Sequence, residues 1–348
     1  MSPRPSRRSS RRRDWWTRLP DGELLDVPLR ALGLRLEGTA LARRIAQLGR
    51  ELERAGLRFR PHVWLSTDWF TPDGVVGFAA PFYLAHPRLM RLERRHMLEV
   101  EGGSHDECMK LLRHETAHAL DNAYRLHRRR RWREVFGGYS RPYRESYVPR
   151  PTSERYVLNL DYWYAQSHPA EDWAETFSVW LQPGSGWRRR YQGWPALAKL
   201  EFVDELLEEI RDQPPPVRDR SRPESVGTLG MTLRTYYRRK QARYAEEYSF
   251  EYDAPLERVF GAERRGAHDE SAAAFLSRSR RELRERVASV TAQHPYLIDQ
   301  VQKELILRCR KLGLRRVVPE REARLQSAVL LTALTMRFVR GGHPEYRR

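Results

Sequence analysis

A chain of 348 residues is long enough for one large or two ordinary domains with real cores, so folding alone requires no disulfide or metal staple. Two cysteines, Cys108 and Cys309, are too few for a disulfide framework and point to a reducing interior, the cytoplasm. The formal charge of +18 would attract polyanions, but the excess is arginine scattered along the chain and no nucleic-acid-binding module accompanies it, so nucleic-acid contact is not the favoured reading.

The opening "MSPRPSRRSSRRRDWW" has paired arginines with no hydrophobic stretch behind them, which argues against a secretory or twin-arginine signal; residues 1–20 are expected to form a disordered basic tail. Apolar residues then recur at helical spacing in "TALARRIAQLGRELERAG" up to Gly56, and "LRFRPHVWLS" follows as a strand. "GVVGFAAPFYLAHPRL" mixes aromatic and β-branched residues with Pro81 and Pro87, which predicts an edge strand around Phe78 to Ala85 where an extended peptide could dock by β-augmentation.

The stretch "GGSHDECMKLLRHETAHALDNAYRLHRRRRW" begins with Ser104 and Glu107 in capping-box spacing and keeps a helical period to about His127. That places Arg128 to Arg131 near a helix C-terminus, where positive charge is favourable, and this reading is preferred to a DNA-binding one. Residues 137–160, rich in Tyr, Pro, Arg and Ser, read as an ordered surface loop. A second helix is predicted from Pro169 through "PAEDWAETFSVWLQ", and a third over "ALAKLEFVDELLEEIRD". Residues 213–230, opening on Pro214-Pro215-Pro216, read as a linker to a helical C-terminal domain over 231–348, with helices near 231–248, 270–288, 295–312 and 320–340. Tyr237, Tyr244 and Tyr248 fall on one stripe there, read as packing. The longest apolar run, "AVLLTALTM" over 328–336, is far short of the ~20 residues that span a bilayer, so no membrane association is expected.

The chemistry concentrates in "RHETAH". His114 and His118, four apart on a helix, point the same way and can offer two imidazole nitrogens to one zinc ion. Glu115 is turned away from them by about a quarter of a revolution, poorly aimed as a ligand and well placed as a general base. A catalytic site needs a third protein ligand and an open fourth position. The positions where a metzincin would carry Gly and His hold Asp121 and Tyr124, which excludes that class. A carboxylate on the following helix is the other common solution: "SHPAEDWAETF" offers Glu171 as ligand with Glu175, one turn deeper, accepting an N–H from a ligating histidine, while Glu175, Asp172 and His168 are rival third ligands. Asp121 is a further candidate to support the ligands from behind.

"RHETAHALD" followed by "YWYAQSHPAEDWAETF" resembles the bacterial zinc-binding metallopeptidases of the gluzincin type, and more distantly the catalytic domain of anthrax lethal factor. The resemblance covers about residues 60–185. It implies an α+β, zincin-like metallopeptidase domain over 21–212, with a small mixed sheet, an active-site helix and a glutamate helix. It also implies one zinc per chain on His114, His118 and Glu171, with Glu175 behind them. Tyr164, seven positions before Glu171, takes the place of the oxyanion-binding tyrosine of the lethal-factor pattern, with His168 as substitute. The expected substrate is a peptide or protein. Two other classes stand beside this one: a nucleic-acid-associated zinc protease tethered by its basic surface, and a noncatalytic zinc-containing interaction protein.

Overall fold

The computed structural model describes residues 14–97, 100–144, 146–246, 252–261, 270–293, 295–339 and 346–347. The chain divides into two compact units, one built from residues up to Tyr143 together with Glu154–Ala242, the other from Arg144–Ser153 and Arg243–Arg348. The fold is mixed α+β and mostly helical, and none of its described helices is long and apolar enough to cross a membrane.

The first unit starts earlier than its sequence suggests. Residues 1–13 of the expected tail lie outside the described residues, but Trp16 within the same stretch is fully buried and donates its indole N–H to Leu32 O at 2.9 Å. A large aromatic side chain with a satisfied polar tip belongs to the core, whatever the composition of its neighbours. Helix α1 (Ala40–Arg54) starts where Thr39 Oγ1 accepts from Ala42 N and stops at Gly56, whose φ of +74° permits Gly56 N and Leu57 N to return to Glu53 O and Leu52 O.

Two short strands, β1 (His62–Ser66) and β2 (Gly77–Pro81), pair in parallel, with His62 opposite Gly77. Gly77 is required there: a Cβ would lie 2.2 Å from His62 O and 2.3 Å from its ring. The predicted edge is not an edge. β2 is buried throughout, its far side is bridged by Phe70 opposite Ala79, and Phe82–Ala85 turns into a 3-10 helix. The Phe70 segment lies outside β2 instead.

Residues 213–230, expected to be a linker, run past β1 as a strap. His62, Trp64 and Ser66, alternate residues of the strand and therefore on one face, bond Ser221 O, Pro223 O and Glu224 O at 3.0, 2.9 and 2.7 Å. Four prolines deprive the strap of donors, so no continuous ladder forms; these side chains hold it together with single backbone bonds such as Val76 N to Asp219 O and Val217 N to Ala123 O. The unit then closes on itself through Leu233 N and Arg234 N, which donate to Val27 O and Leu25 O.

The helices of the first unit continue with α2 (Pro87–Met97), α3 (His105–Tyr124), α4 (Arg130–Phe136), α5 (Pro169–Leu181), α6 (Ala196–Ile210) and α7 (Leu233–Glu246). α3 is capped by Ser104 as its spacing predicts, but it ends at Arg125 in the left-handed region, three residues early. Arg130 and Arg131 therefore open α4 instead of closing α3. Like charge near a helix N-terminus is unfavourable, and ion pairs compensate: Arg129, Arg130 and Arg131 meet Glu209, Glu134 and Glu205. Trp132, Phe136, Trp173, Phe177 and Phe202 fill the space between α4, α5 and α6, and the Trp173 indole bonds Ala117 O in α3 at 3.0 Å. Of the tyrosine stripe on α7, Tyr237 is buried as expected; Tyr248 and the side chain of Tyr244 lie outside the described residues.

In the second unit, α8 (Asp253–Val259), α9 (Ala272–Arg278), α10 (Arg280–Thr291), α11 (Pro295–Lys311) and α12 (Glu320–Val339) pack together, and β3 (Ser146–Tyr147) pairs with β4 (Tyr346–Arg347). One predicted helix over 270–288 is two, broken at Ser279, and α8 has no counterpart in the sequence reading.

α1 is held to α3 by a buried fork: Arg113 Nε and Nη2 donate to Glu51 at 2.8 and 3.0 Å, directly before His114 in the chain. Removing one partner strands the other charge in the interior, so Glu51→Ala should cost about 3–5 kcal/mol of stability in chemical denaturation; a loss below about 1 kcal/mol would show that the pair does not anchor α3.

Candidate metal centre

His114 and His118 stand one turn apart on α3, and α5 brings Glu171 against them from the first turn after Pro169. The three ligand atoms form a nearly equilateral triangle. His114 Nε2 lies 3.1 Å from Glu171 Oε2, His118 Nε2 lies 3.2 Å from the same oxygen, and the two imidazole nitrogens are 3.2 Å apart. A tetrahedral ion with ligands at its usual 2.0–2.1 Å would separate them by about 3.3–3.4 Å. The group could hold a metal ion. All three are buried except on the His118 side, whose side chain keeps 17% of its surface.

The donor chemistry agrees with the spacing. His114 Nδ1 faces Glu175 Oε1 at 2.8 Å, and a carboxylate there draws the ring proton to Nδ1, leaving Nε2 as a bare lone pair aimed at the triangle. Glu175 is itself fixed, accepting from Asn159 Nδ2 at 2.9 Å and Leu160 N at 2.7 Å. Lone pairs of a nitrogen and a carboxylate converging in the dry interior need a cation or a proton between them. Without a metal the proton takes that place. Burial disfavours the charged imidazole, yet Glu171 and Glu175 together hold His114 well above the ordinary histidine range. Burial likewise opposes the Glu171 carboxylate, and His118 and His114 nevertheless keep it well below the usual range.

Glu115 sits beside this group and outside it. Its Oε2 accepts from Thr71 Oγ1 at 2.8 Å, and burial raises its pKa against the pull of His114, His118 and Thr71. Tyr164 lies with its ring centroid 5.7 Å from that of His114. The chain reaches that position through a sharp turn in the 3-10 segment Asp161–Gln166, where Tyr162 and Trp163 both take left-handed φ values of 58° and 53°. Two such residues in succession, neither of them glycine, cost roughly 1–3 kcal/mol each and mark a conformation imposed by its surroundings.

The rivals for third ligand are engaged elsewhere. Both oxygens of Glu175 are taken as described. Asp172 turns to Lys199 Nζ at 2.6 Å, and burial pushes its carboxyl up to about 7 in spite of that partner. His168 uses both ring nitrogens, Nδ1 accepting from Ala170 N at 3.1 Å to cap α5 and Nε2 donating to Arg141 O at 2.8 Å, so it is neither a ligand nor a free proton donor. Asp121 is also corrected: it bonds the backbone and ring of His127, at 2.7 and 2.9 Å, and closes the end of α3 without touching a ligand histidine.

Three contributors were not found in the sequence. Thr71, Asn159 and Tyr143 come from loops that carry no periodic signal; Tyr143 donates its hydroxyl to Glu171 Oε1 at 3.2 Å while its ring stacks on His168 at 3.8 Å.

Glu175→Ala frees His114 to choose its tautomer and should weaken divalent-ion affinity by about 10–100-fold in competition with a chromogenic chelator; unchanged affinity would remove Glu175 from the centre. Because the raised His114 pKa means a proton must leave before an ion binds, affinity should keep climbing with pH above about 6.5, where the affinity of an ordinary imidazole site levels off. A plateau from pH 6.5 upward would mean that the imidazole titrates normally.

No protein-family model, curated protein or solved structure matches the chain. What this centre does must be read from its own geometry: two imidazoles and a carboxylate converging on one point, with a buried acid at their side.

Proposed function

We propose that the chain is a zinc-dependent peptide hydrolase of gluzincin type. The observation that carries this reading is the triangle of His114, His118 and Glu171, with edges of 3.1–3.2 Å, beside a buried Glu115 that belongs to no ligand set. Nitrogen and carboxylate donors in that number suit zinc, and His114, His118 and Glu171 would hold it. Bound there, zinc would supply Lewis acidity toward a water molecule and a carbonyl oxygen.

The chain's own groups divide the proton work. Glu115 takes the proton of the attacking water and delivers it to the leaving amine; burial, which raises its pKa, improves it for both halves of that task. Thr71 keeps the carboxylate oriented through Oε2. Tyr164, placed across His114, donates to the developing oxyanion, a contribution of a few kcal/mol for one well-aimed donor. His168 takes no part in this step because its ring nitrogens are committed. A buried carboxylate with no ligand role favours an enzyme over a purely structural metal site. The arginine run favours no nucleic-acid role, since Arg129 to Arg131 are matched by acids of the same unit. The cytoplasm remains the proposed compartment, with both cysteines free and buried.

The test is Glu115→Gln. It should retain about one zinc per chain while peptide cleavage falls by about 10²–10⁴-fold. Purified protein without stoichiometric zinc, or a Gln variant that cleaves peptides as fast as wild type, would overturn the reading.

A further inference from the structure

A cavity of about 300 Å³ opens beside the C-terminal end of α3, lined by Asp73, Asn122, Arg125, Arg128, Tyr139 and Val217 among others. It has no part in the reaction above, yet its walls come from chain segments that also carry residues of the metal centre. Asn122 follows His118 by four residues and so continues the His114–His118 face by one turn, roughly 6 Å along the axis; Arg125 is the left-handed cap that ends the helix one residue after Tyr124. The loop that carries Thr71 forms a second wall, fixed by Asn122 Nδ2 to Pro72 O at 2.9 Å and Val75 O at 3.0 Å. Tyr139 forms the third, stacked on His127 at 4.2 Å with its ring 6.4 Å from that of His168, which caps the helix bearing Glu171.

The charges in this cavity are unevenly committed. Its acidic neighbours lie on other groups: the Asp73 carboxylate faces Tyr139 and helps to raise that hydroxyl's pKa, and Asp121 bonds the backbone and ring of His127. Arg129, Arg130 and Arg131 have carboxylate partners. Arg125 and Arg128, on the cavity wall, form no side-chain hydrogen bond or ion pair among the described residues. Two uncommitted guanidiniums in a concave, walled site present planar donor forks suited to a carboxylate.

We propose that this cavity recognises a carboxylate of the bound peptide. At ~3.3–3.6 Å per extended residue, a site that starts about 6 Å beyond His118 along α3 places that group about two or more residues from the cleaved bond. The carboxylate can come from an Asp or Glu side chain or from the peptide's own C-terminus. The inference rests on the peptide-hydrolase reading for the identity of the ligand.

The test uses fluorescein-labelled hexapeptides with Glu or Gln at each interior position in turn, each ending in a free acid or an amide. They are titrated by fluorescence anisotropy onto full-length, zinc-loaded Glu115→Gln protein, and offered separately to wild type for cleavage. One carboxylate-bearing member should bind at least about tenfold more tightly than its uncharged counterpart, with an advantage that shrinks as salt rises. The same ratio should fall to about one when Arg125→Gln and Arg128→Gln are added, with zinc content as in the parent protein. The arm that shows the advantage identifies a side-chain or a terminal carboxylate. Equal binding of all members, no binding of any, or an advantage that survives the double substitution overturns the proposal. Selective binding without cleavage by wild type leaves the carboxylate site standing and removes the hydrolase reading; cleavage without selectivity does the reverse.

Discussion

The structure turns on a conflict of lone pairs. His114, His118 and Glu171 point three acceptor atoms at one another across 3.1–3.2 Å in an interior with little water to separate them. Such an arrangement is stable only when something positive occupies its centre. The surrounding architecture holds the three atoms in place against that repulsion. Arg113 ties α3 to α1 through Glu51, the Trp173 indole locks α5 to α3, and Glu175 directs the free nitrogen of His114 inward.

Much of this centre is legible in the sequence because it rests on helical periodicity. His114 and His118 must share a face if their segment is a helix, and Glu171 and Glu175 repeat the same interval on the next apolar-backed helix. Ser104 and Pro169 mark where those helices begin, and the structure starts them at those places. The same logic fails where contacts are made by irregular chain. Thr71, Tyr143 and Asn159 reach the centre from loops, where sequence separation says nothing about distance in space. Asp121 and His168 lie close to the centre in sequence, but a helix end and a helix start engage them instead. The strap over 213–230 reads as a linker in the sequence because proline-rich composition reports how a segment fails to form helix or ladder, and is silent on which side chains grip it.

The arginine run illustrates how a short slip in a helix boundary changes an electrostatic reading. With α3 ending at Tyr124, two of its four arginines open a new helix, where the dipole disfavours them, and acids of α4 and α6 answer that charge. Arg128, in the turn between the helices, is left over with Arg125.

The strap has a bearing on how small the first unit can be made. Through Ser221, Pro223 and Glu224 it covers the face of β1 that presents His62, Trp64 and Ser66, and through Asp219 it receives the amide of Val76 just before β2. A fragment cut at 212, the boundary that composition suggests, would bare an indole and several backbone and side-chain donors beside the loop that steadies Glu115. The smallest self-sufficient piece must therefore run on past the prolines and include the return of the chain to Leu25 and Val27.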